Sequence, residues 1–432
     1  MINKKIICLF TLYSLSTGAI AAGLPIDFPN YLNPWSDIYE GKRFNWLDSD
    51  YTQRTDNDSI FGRTDRFYSN GLRIELLDME TDLFVYKDDE NSLESLDCDN
   101  DGKERESSGK LACVGLTKAV KDGKEDDIVF LSRGFFFSHA MFTPTSIKKP
   151  VSQAGTYDRP YVGWAQFGVM AGVTNQNHSD YSTFSIGCLG SCSHAEEGQK
   201  WAHKELSPSS PTPQGWDTQV KNTLAVQFTR TRSFKSDVFL GASAFTHRYI
   251  SVDVGSVMNK VGAGISFLYA PFNELRDLEC DHTPANRTGG GFPQSENMYV
   301  NADDGNGKKF RICSEGITGP YIFGNSHSQV VLTNALITSG VHTDSGSFYH
   351  EVAPFVMVNK IGGGYRGHNG WQLELAVHYS SPETTQKGFK LNDHEWGQVS
   401  FTIPNGGIGL GILATSIMYF GLAELNDEAD LQ

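Results

Sequence analysis

After its first 21 residues, the chain lacks any long apolar run. No later stretch reaches the roughly 20 apolar residues that a transmembrane helix requires. Clustered basic residues are also missing, because 36 Lys and Arg stand against 51 Asp and Glu and give a formal net charge of −15. Nucleic-acid binding depends on basic patches, so we expect no nucleic-acid partner.

The N-terminus has the pattern of a secretory signal peptide. Lys4 and Lys5 precede an apolar run over residues 6–20, and Ala19-Ile20-Ala21 supplies the small residues of a cleavage site. The run is too short, and too rich in Thr, Ser and Gly, for a spanning helix. We therefore expect residues 1–21 to be removed, leaving residues 22–432 either soluble outside the cytoplasm or inserted in the outer membrane as a barrel.

The composition favours an all-β protein with many turns, since the chain has 44 Gly and 12% aromatic residues. Segments with period-two alternation recur at lengths of about ten residues, which is typical of a transmembrane antiparallel β-barrel. The predicted strands are 45–56, 67–78, 128–142, 161–174, 181–190, 218–231, 238–249, 260–269, 328–340, 350–363, 370–380, 395–404 and 408–420.

Thirteen predicted strands is one more than a bacterial barrel of even strand number allows. One of the thirteen strand assignments is therefore wrong or divided in two. The candidates are the Gly-rich segment 408–420 and the short segment 181–190. A soluble β-sandwich array is the alternative fold. It would require cores on both sides of its sheets, whereas these strands carry apolar residues on one face.

Cysteines favour disulfides over a metal site. Of the seven cysteines, Cys8 leaves with the signal peptide. The remaining six cysteines are an even number, which in an exported chain is typical of disulfide pairing. The chain has no CxxC motif of the kind that binds zinc. Because short loops close at low entropic cost, local pairing is predicted. The predicted pairs are Cys98–Cys113, Cys188–Cys192 and Cys280–Cys313.

Two long polar insertions, 80–127 and 271–327, interrupt the strand pattern, and each contains one cysteine pair. Long loops of this kind are expected outside the barrel on the extracellular side. Residues 97–102, DCDNDG, copy the start of a calcium-binding loop. At the twelfth position, where such a loop has a Glu that binds calcium through both carboxylate oxygens, this chain has Ser108. The segment is therefore either a weak accessory ion site or a plain solvated loop.

The turn within residues 55–72, TDNDSIFGRTDRFYSNGL, concentrates short polar side chains between two predicted strands. Such residues are common in ordinary turns because they bond to local backbone groups. They are also the hard oxygen donors that calcium requires. The donors are Asp56, Asn57, Asp58 and Asp65 with the hydroxyls of Ser59, Thr64 and Ser69.

Residues 157–172, YDRPYVGWAQFGVMAG, begin a predicted strand in which Tyr161 and Trp164 are suited to the membrane interface. A helix is predicted over 196–206, with acidic residues in its first turn and Pro208 after its end. Gln199 and His203 are four residues apart and so share one face of that helix. A histidine on a helix is either structural or catalytic.

The order of NDS…TDRFYSNGL, YDRPYVGW, GQKWAHK and GWDTQ resembles the outer-membrane lipid A 3′-O-deacylases of the LpxR type. The resemblance implies a barrel of about 12 strands with long extracellular loops and a short helix over the active site. It also implies a calcium-dependent hydrolase that removes the 3′-linked acyloxyacyl group of lipid A in lipopolysaccharide. The active site would lie between the barrel wall and the helix, facing the outer leaflet of the bacterial outer membrane.

The resemblance assigns the candidate site to Asn57, Asp58, Ser69, Gln199 and His203. No Gly-x-Ser-x-Gly elbow is present, so a water activated by the histidine is the expected nucleophile. The expected calcium ligands are Asp58, Asn57 and Asp65.

Three alternatives remain open from the sequence, while the oligomeric state is not indicated. One is a catalytically decayed relative that is kept for its loops, although the matched positions show no sign of decay. A calcium-dependent outer-membrane phospholipase could use Ser69 as its nucleophile. A non-enzymatic porin or adhesin would have the same barrel without the chemistry.

Overall fold

A computed structural model describes most of the predicted strands and the predicted helix. The described residues are 50–58, 67–86, 93–96, 128–144, 146–148, 159–174, 178–205, 211–234, 237–239, 244–271, 301–303, 309–311, 319–338, 351–367, 371–385 and 394–403. All of them belong to one compact unit, Leu47–Gln432. The predicted signal peptide lies outside the described residues.

Among the described residues, twelve strands close into one antiparallel barrel. In chain order they are β1 (Asp50–Asn57), β2 (Phe67–Tyr86), β3 (Ile128–Thr143), β4 (Val162–Thr174), β5 (His178–Leu189), β6 (Thr223–Phe234), β7 (Ala244–Gly255), β8 (Met258–Tyr269), β9 (Gly319–Asn334), β10 (Phe355–Arg366), β11 (Gln372–Ser380) and β12 (His394–Ile403). Each strand pairs with its neighbours in chain order, and β1 closes the ring by pairing with both β2 and β12. The prediction of a barrel of about 12 strands is confirmed.

Short elements flank the ring in the described ranges. Leu93–Leu96 pairs with β2, Asp237–Phe239 pairs with β7, and Asn301–Asp303 pairs with Lys309–Arg311. The helix α1 (Ala195–Glu205) matches the predicted helix, and α2 (Ala335–Thr338) follows β9. No described helix has the length and apolarity needed to cross a membrane.

The barrel is polar inside and apolar outside. Along β11, Gln372, Glu374 and His378 are buried, whereas Leu373 and Leu375 are 39% and 49% exposed. Because side chains alternate along a strand, one set faces the lumen and the other faces outward. Large exposed apolar side chains continue around the outer wall at Ile186, Leu224, Ile250, Val261, Ile322 and Phe355. This pattern is typical of a transmembrane barrel and excludes the soluble β-sandwich alternative.

The thirteenth predicted strand is not needed for closure. The ring closes between β12 and β1, while the 408–420 segment lies outside the described residues. The doubt about the 181–190 segment was wrong, because β5 pairs with β4 and β6 along its length.

Strand directions define two ends of the barrel. We call the end where β1 finishes and β2 starts the site end. The segment that contains α1 leaves β5 and returns to β6 at this end, and α2 also lies there. The insertions after β2 and β8 leave the barrel at the opposite end, where β1 begins and β12 finishes. They are also shorter than predicted, since β2 extends to Tyr86 and β9 begins at Gly319.

Buried side chains occupy the lumen. At the site end, an apolar cluster joins strand residues to α2 and contains Val162, Trp164, Leu189, Val220, Ala225, Val257, Ala335 and Leu336. Farther down, Glu374 Oε1 accepts hydrogen bonds from Tyr321 Oη at 2.9 Å and Gln372 Nε2 at 2.7 Å. His378 Nε2 lies 2.6 Å from Gln398 Oε1. These polar side chains of the lumen are thus hydrogen-bonded to one another.

One of the three predicted disulfides lies in the described part. Cys188 and Cys192 are paired, with their Cα atoms 6.0 Å apart, across the turn between β5 and α1. The predicted pairs Cys98–Cys113 and Cys280–Cys313 lie outside the described residues.

Candidate active site

Asn57 lies on the outer face of the barrel wall. Thr55 is paired with Val399, and Val399 is paired with Leu375, which is exposed on the outside. Directly paired residues in an antiparallel ladder point to the same side of the sheet, so Thr55 faces outward. Asn57 is two residues further along β1 and therefore shares this face.

A row of paired residues connects Asn57 to the wall beneath α1. Asn57 pairs with Asn70, Asn70 with Met141, and Met141 with Gly163. Since adjacent strands lie about 4.8 Å apart, the backbones of Asn57 and Met141 are about 10 Å apart. All four positions belong to the outer face at the site end.

Ser69 occupies an irregular position in β2. Tyr68 pairs with Phe142 and Asn70 pairs with Met141, so Ser69 is an additional residue in this strand. A bulge of this kind breaks the simple alternation and redirects a side chain. The candidate hydroxyl thus lies next to the residue that faces Asn57, although its side chain is outside the described part.

A tight turn brings the chain from β5 onto the outer wall. Gly190 has φ of +92°, and a Cβ at this position would lie 2.5 Å from the carbonyl oxygen of Val220, so only glycine fits. The following 3₁₀ helix, Ser191–Ser193, has its last carbonyl oxygen 3.1 Å from Nε2 of His139. His139 precedes Met141 on the same face of β3, so the start of α1 lies outside the wall.

The helix α1 rests on an apolar cluster that includes its own Ala195. The other members are Met141 of β3, Ile147, Tyr161 and Trp216. Burial of each large side chain is worth about 2 kcal/mol, so the cluster holds the helix firmly. The segment that follows α1 is joined to the segment between β3 and β4 by two backbone hydrogen bonds. Gln214 N donates to Ile147 O at 2.8 Å, and Val220 N donates to Tyr161 O at 3.0 Å.

The two candidate helix residues have different surroundings. Gln199 is buried, and its Oε1 accepts a hydrogen bond of 2.8 Å from Nε1 of Trp216. His203 is half-buried one turn further along, as expected for residues that share a helix face. The helix thus carries both residues to the outer wall, two strands from Asn57.

The acidic turn contributes one fully buried carboxylate. Asp58 follows Asn57 at the end of β1 and has no exposed surface, while the predicted ligand Asp65 lies outside the described residues. Among the residues that the structure describes, no group of three or more His, Cys, Asp or Glu could hold a metal ion. The oxygens of Asp58 and Asn57 have the chemistry that calcium prefers, since calcium also takes amide, carbonyl and water oxygens.

The outer face of β1 below Asn57 is unusually polar. Tyr51 donates to Gln53 Oε1 at 3.2 Å, and Gln53 Nε2 donates to Thr55 Oγ1 at 3.4 Å. All three side chains are buried, and Gln53 has no exposed surface. This part of the wall therefore differs from the leucine-rich, exposed outer face of β11.

Two aromatic residues that were predicted at the membrane interface are buried instead. Tyr161 is fully buried with its ring 4.8 Å from the ring of Trp216, and Trp164 belongs to the lumen cluster. Arg159 is also buried, because it lies over the Phe142 ring and 3.5 Å from Glu383.

Sequence reasoning missed three residues that shape the site. Trp216 holds Gln199, Asn70 faces the same side as Asn57, and Gly163 allows α1 to approach the wall, since a Cβ there would collide with Ser193 and Ala195. Trp216 and Asn70 lie in the motifs GWDTQ and TDRFYSNGL, but only the folded register shows their contacts.

Comparisons with known proteins agree with this architecture. The family model described as "Outer membrane protein LpxR" matches residues 42–404. The solved structure of LpxR from Salmonella typhimurium is similar with a TM-score of 0.54 and 14% sequence identity, covering 82% of this chain and 99% of that chain. No curated protein matches the sequence.

Two autotransporter domains are less similar. The β domain of the Bordetella autotransporter BrkA has a TM-score of 0.34 and 7% identity, covering 82% of this chain and 98% of its own. The translocator domain of the autotransporter NalP from Neisseria meningitidis has a TM-score of 0.31 and 8% sequence identity. This match covers 91% of this chain and 99% of the NalP domain. These scores support no conclusion. The match over residues 42–404, together with the closed twelve-stranded barrel, shows that the chain belongs to the LpxR family of outer-membrane proteins.

Proposed function

We propose that this protein is a lipid A 3′-O-deacylase, which hydrolyses the ester that links the 3′ acyloxyacyl group to the sugar of lipid A. The observation that carries the proposal is the position of α1. The helix that carries Gln199 and His203 packs through Ala195 against Met141 of the outer wall, and Met141 lies two strands from Asn57 in the same row of paired residues. An enzyme that acts on a membrane lipid requires its polar chemistry on this membrane-facing surface, and family membership agrees with such a substrate.

In the proposed reaction, His203 is the general base. Imidazole suits this role because its ordinary pKa lies near neutral pH. It takes a proton from water as the water oxygen attacks the ester carbonyl carbon. The tetrahedral intermediate then breaks its bond to the sugar oxygen, and the proton passes from the imidazolium to that oxygen. The products are the free 3′-hydroxyl and the acyloxyacyl acid.

Calcium is the proposed cofactor, with Asp58 and Asn57 as ligands in the described part and Asp65 as a further candidate. When bound, it would polarise the ester carbonyl and stabilise negative charge on its oxygen. The position of Asp58 next to Asn57 at the end of β1 supports this assignment, because the two side chains supply adjacent hard oxygen atoms of the kind that calcium binds.

The proposal also orients the barrel in the membrane. Lipopolysaccharide occupies the outer leaflet, so the site end would face outward. The insertions after β2 and β8 would then face the periplasm, which differs from the expectation that they are extracellular loops.

Mass spectrometry of lipid A from cells that carry the wild-type protein or His203→Gln tests the function. We expect wild-type cells to lose the 3′ acyloxyacyl group and the variant to retain it, because loss of a general base costs about a hundredfold or more in rate. His194→Asn is the matched control. This histidine is exposed just before α1 in a left-handed backbone conformation, which Asn tolerates, so we expect unchanged lipid A.

Two results would contradict the proposal. Release of fatty acids from phospholipids but not from lipid A would identify a phospholipase. Identical lipid A with and without the protein would favour a non-enzymatic barrel. Heat-modifiable migration of the barrel in electrophoresis establishes that each variant is folded.

A further inference from the structure

The side-chain amide of Gln199 has a hydrogen-bond partner for its oxygen, whereas its nitrogen has none among the residues that the structure describes. Its Oε1 lies 2.8 Å from the indole Nε1 of Trp216. Its Nε2 is buried and has no hydrogen-bond partner among the described residues. Because buried polar groups are nearly always hydrogen-bonded, an exception of this kind calls for an explanation.

Chemistry fixes which end of the amide faces the indole. An indole N–H can only donate a hydrogen bond, whereas a glutamine amide has an accepting oxygen and a donating nitrogen. The amide oxygen must therefore face Trp216. Rotation of the amide by 180° would place two donors against each other and leave the oxygen where the nitrogen now lies.

Trp216 is itself held rigidly. It is 1% exposed, its ring packs against Tyr161, and it begins the 3₁₀ helix Trp216–Thr218. Gly215 precedes it with φ of +104°, a left-handed conformation that glycine adopts without strain. The indole N–H is thus a fixed donor against which Gln199 is oriented.

We propose that Trp216 is a positioning residue that presents Nε2 of Gln199 as a hydrogen-bond donor to the carbonyl oxygen of the ester. This inference rests on the deacylase function proposed above. In that role Gln199 stabilises the negative charge that develops on the oxygen during attack by water. An amide nitrogen does not coordinate a cation, so the end of Gln199 that points away from Trp216 is not a calcium ligand.

Steady-state kinetics of Trp216→Phe test the positioning role. Phenylalanine retains a ring against Tyr161 but removes the N–H, so the Gln199 amide can rotate. We expect kcat to fall about tenfold or more with KM changed less than twofold, because the lost contact belongs to the transition state. Trp164→Phe is the matched control. Trp164 is also buried at the site end and its N–H has no partner in the described part, so we expect kcat within twofold of wild type.

A double-mutant cycle separates positioning from simple packing. If Trp216 acts through Gln199, the variant Trp216→Phe/Gln199→Met is no slower than Gln199→Met alone. Multiplicative losses in the double variant, or a Trp216→Phe enzyme with wild-type kcat, would overturn the proposal.

Solvent exchange of the indole N–H is a readout that needs no substrate. The resonance that disappears in Trp216→Phe identifies this proton. We expect slow exchange in the wild type and faster exchange in Gln199→Met, and equal rates would refute the contact. A wild-type protein that leaves lipid A intact overturns the donor role together with the proposed function. An active wild type with multiplicative losses overturns only this inference.

Discussion

Gly163→Ala should displace α1 without disturbing the barrel. Gly163 lies on the outer face of β4, and a Cβ added there would lie 2.5 Å from the Cβ of Ala195 and would also collide with Ser193. Carbon atoms pack comfortably at about 3.5–4.0 Å. The start of α1 must therefore move outward by about 1 Å, which lengthens the contact of 3.1 Å between His139 and the Ser193 carbonyl.

A shift of about 1 Å in catalytic groups can cost about a hundredfold in rate. We expect Gly163→Ala to lower deacylation of lipopolysaccharide by that factor, measured by mass spectrometry of released acid over time. Barrel assembly should persist, because the strand ladder uses backbone groups. Gly363→Ala in β10 is the matched control, since its Cβ would meet only the Tyr321 carbonyl oxygen at 3.6 Å. If both variants retain wild-type activity, the helix is not positioned by this contact.

Three further perturbations probe other parts of the molecule. Chelation of calcium should abolish hydrolysis, and added calcium should restore it. The variant Asp58→Ala should need far more calcium than the wild type or lose activity. Full activity in the presence of chelator would refute a role for the metal. Cys188→Ser/Cys192→Ser should reduce activity more than removal of either predicted insertion pair, because this disulfide closes the turn that leads into α1; equal activities would contradict this. Glu374→Ala should destabilise the barrel by about 2 kcal/mol or more, since two hydrogen-bond donors lose their acceptor. Deacylation at low temperature should stay unchanged. If the temperature at which the barrel unfolds in electrophoresis is the same as in the wild type, the prediction is wrong.

Strands were predictable where their outer faces are apolar and less so where their polar lumen residues dominate. β9 was predicted from residue 328, yet it begins at Gly319. In a soluble protein, polar residues such as Asn325 and His327 in this part of the sequence would suggest a loop. In a membrane barrel, polar residues inside a strand are expected. The mistaken doubt about β5 had a different cause, because the predicted segment 181–190 was short, whereas the strand begins at His178.

The site was predictable in its parts but not in its assembly. Asn57 and the helix with His203 follow from motifs in the sequence. Their relative positions on the outer wall depend on the register across β2 and β3, and the additional residue at Ser69 changes that register. A slip of one residue moves every side chain of a strand to the other face. No local pattern shows such a bulge, or the pairing of Gln199 with Trp216 across 17 residues.

The filling of the lumen favours the outer wall as the place of the proposed chemistry. In the lumen, Tyr321 and Gln372 both donate to Glu374, and such mutual satisfaction stabilises a fold. The site end of the lumen is filled by the apolar cluster around Leu336. A membrane lipid reaches the outer wall by lateral diffusion, whereas entry into the lumen would require its acyl chains to leave the membrane. The donor of Gln199 that lacks a partner among the described residues lies on the helix packed against that outer wall, on the side of the barrel that the proposed substrate reaches.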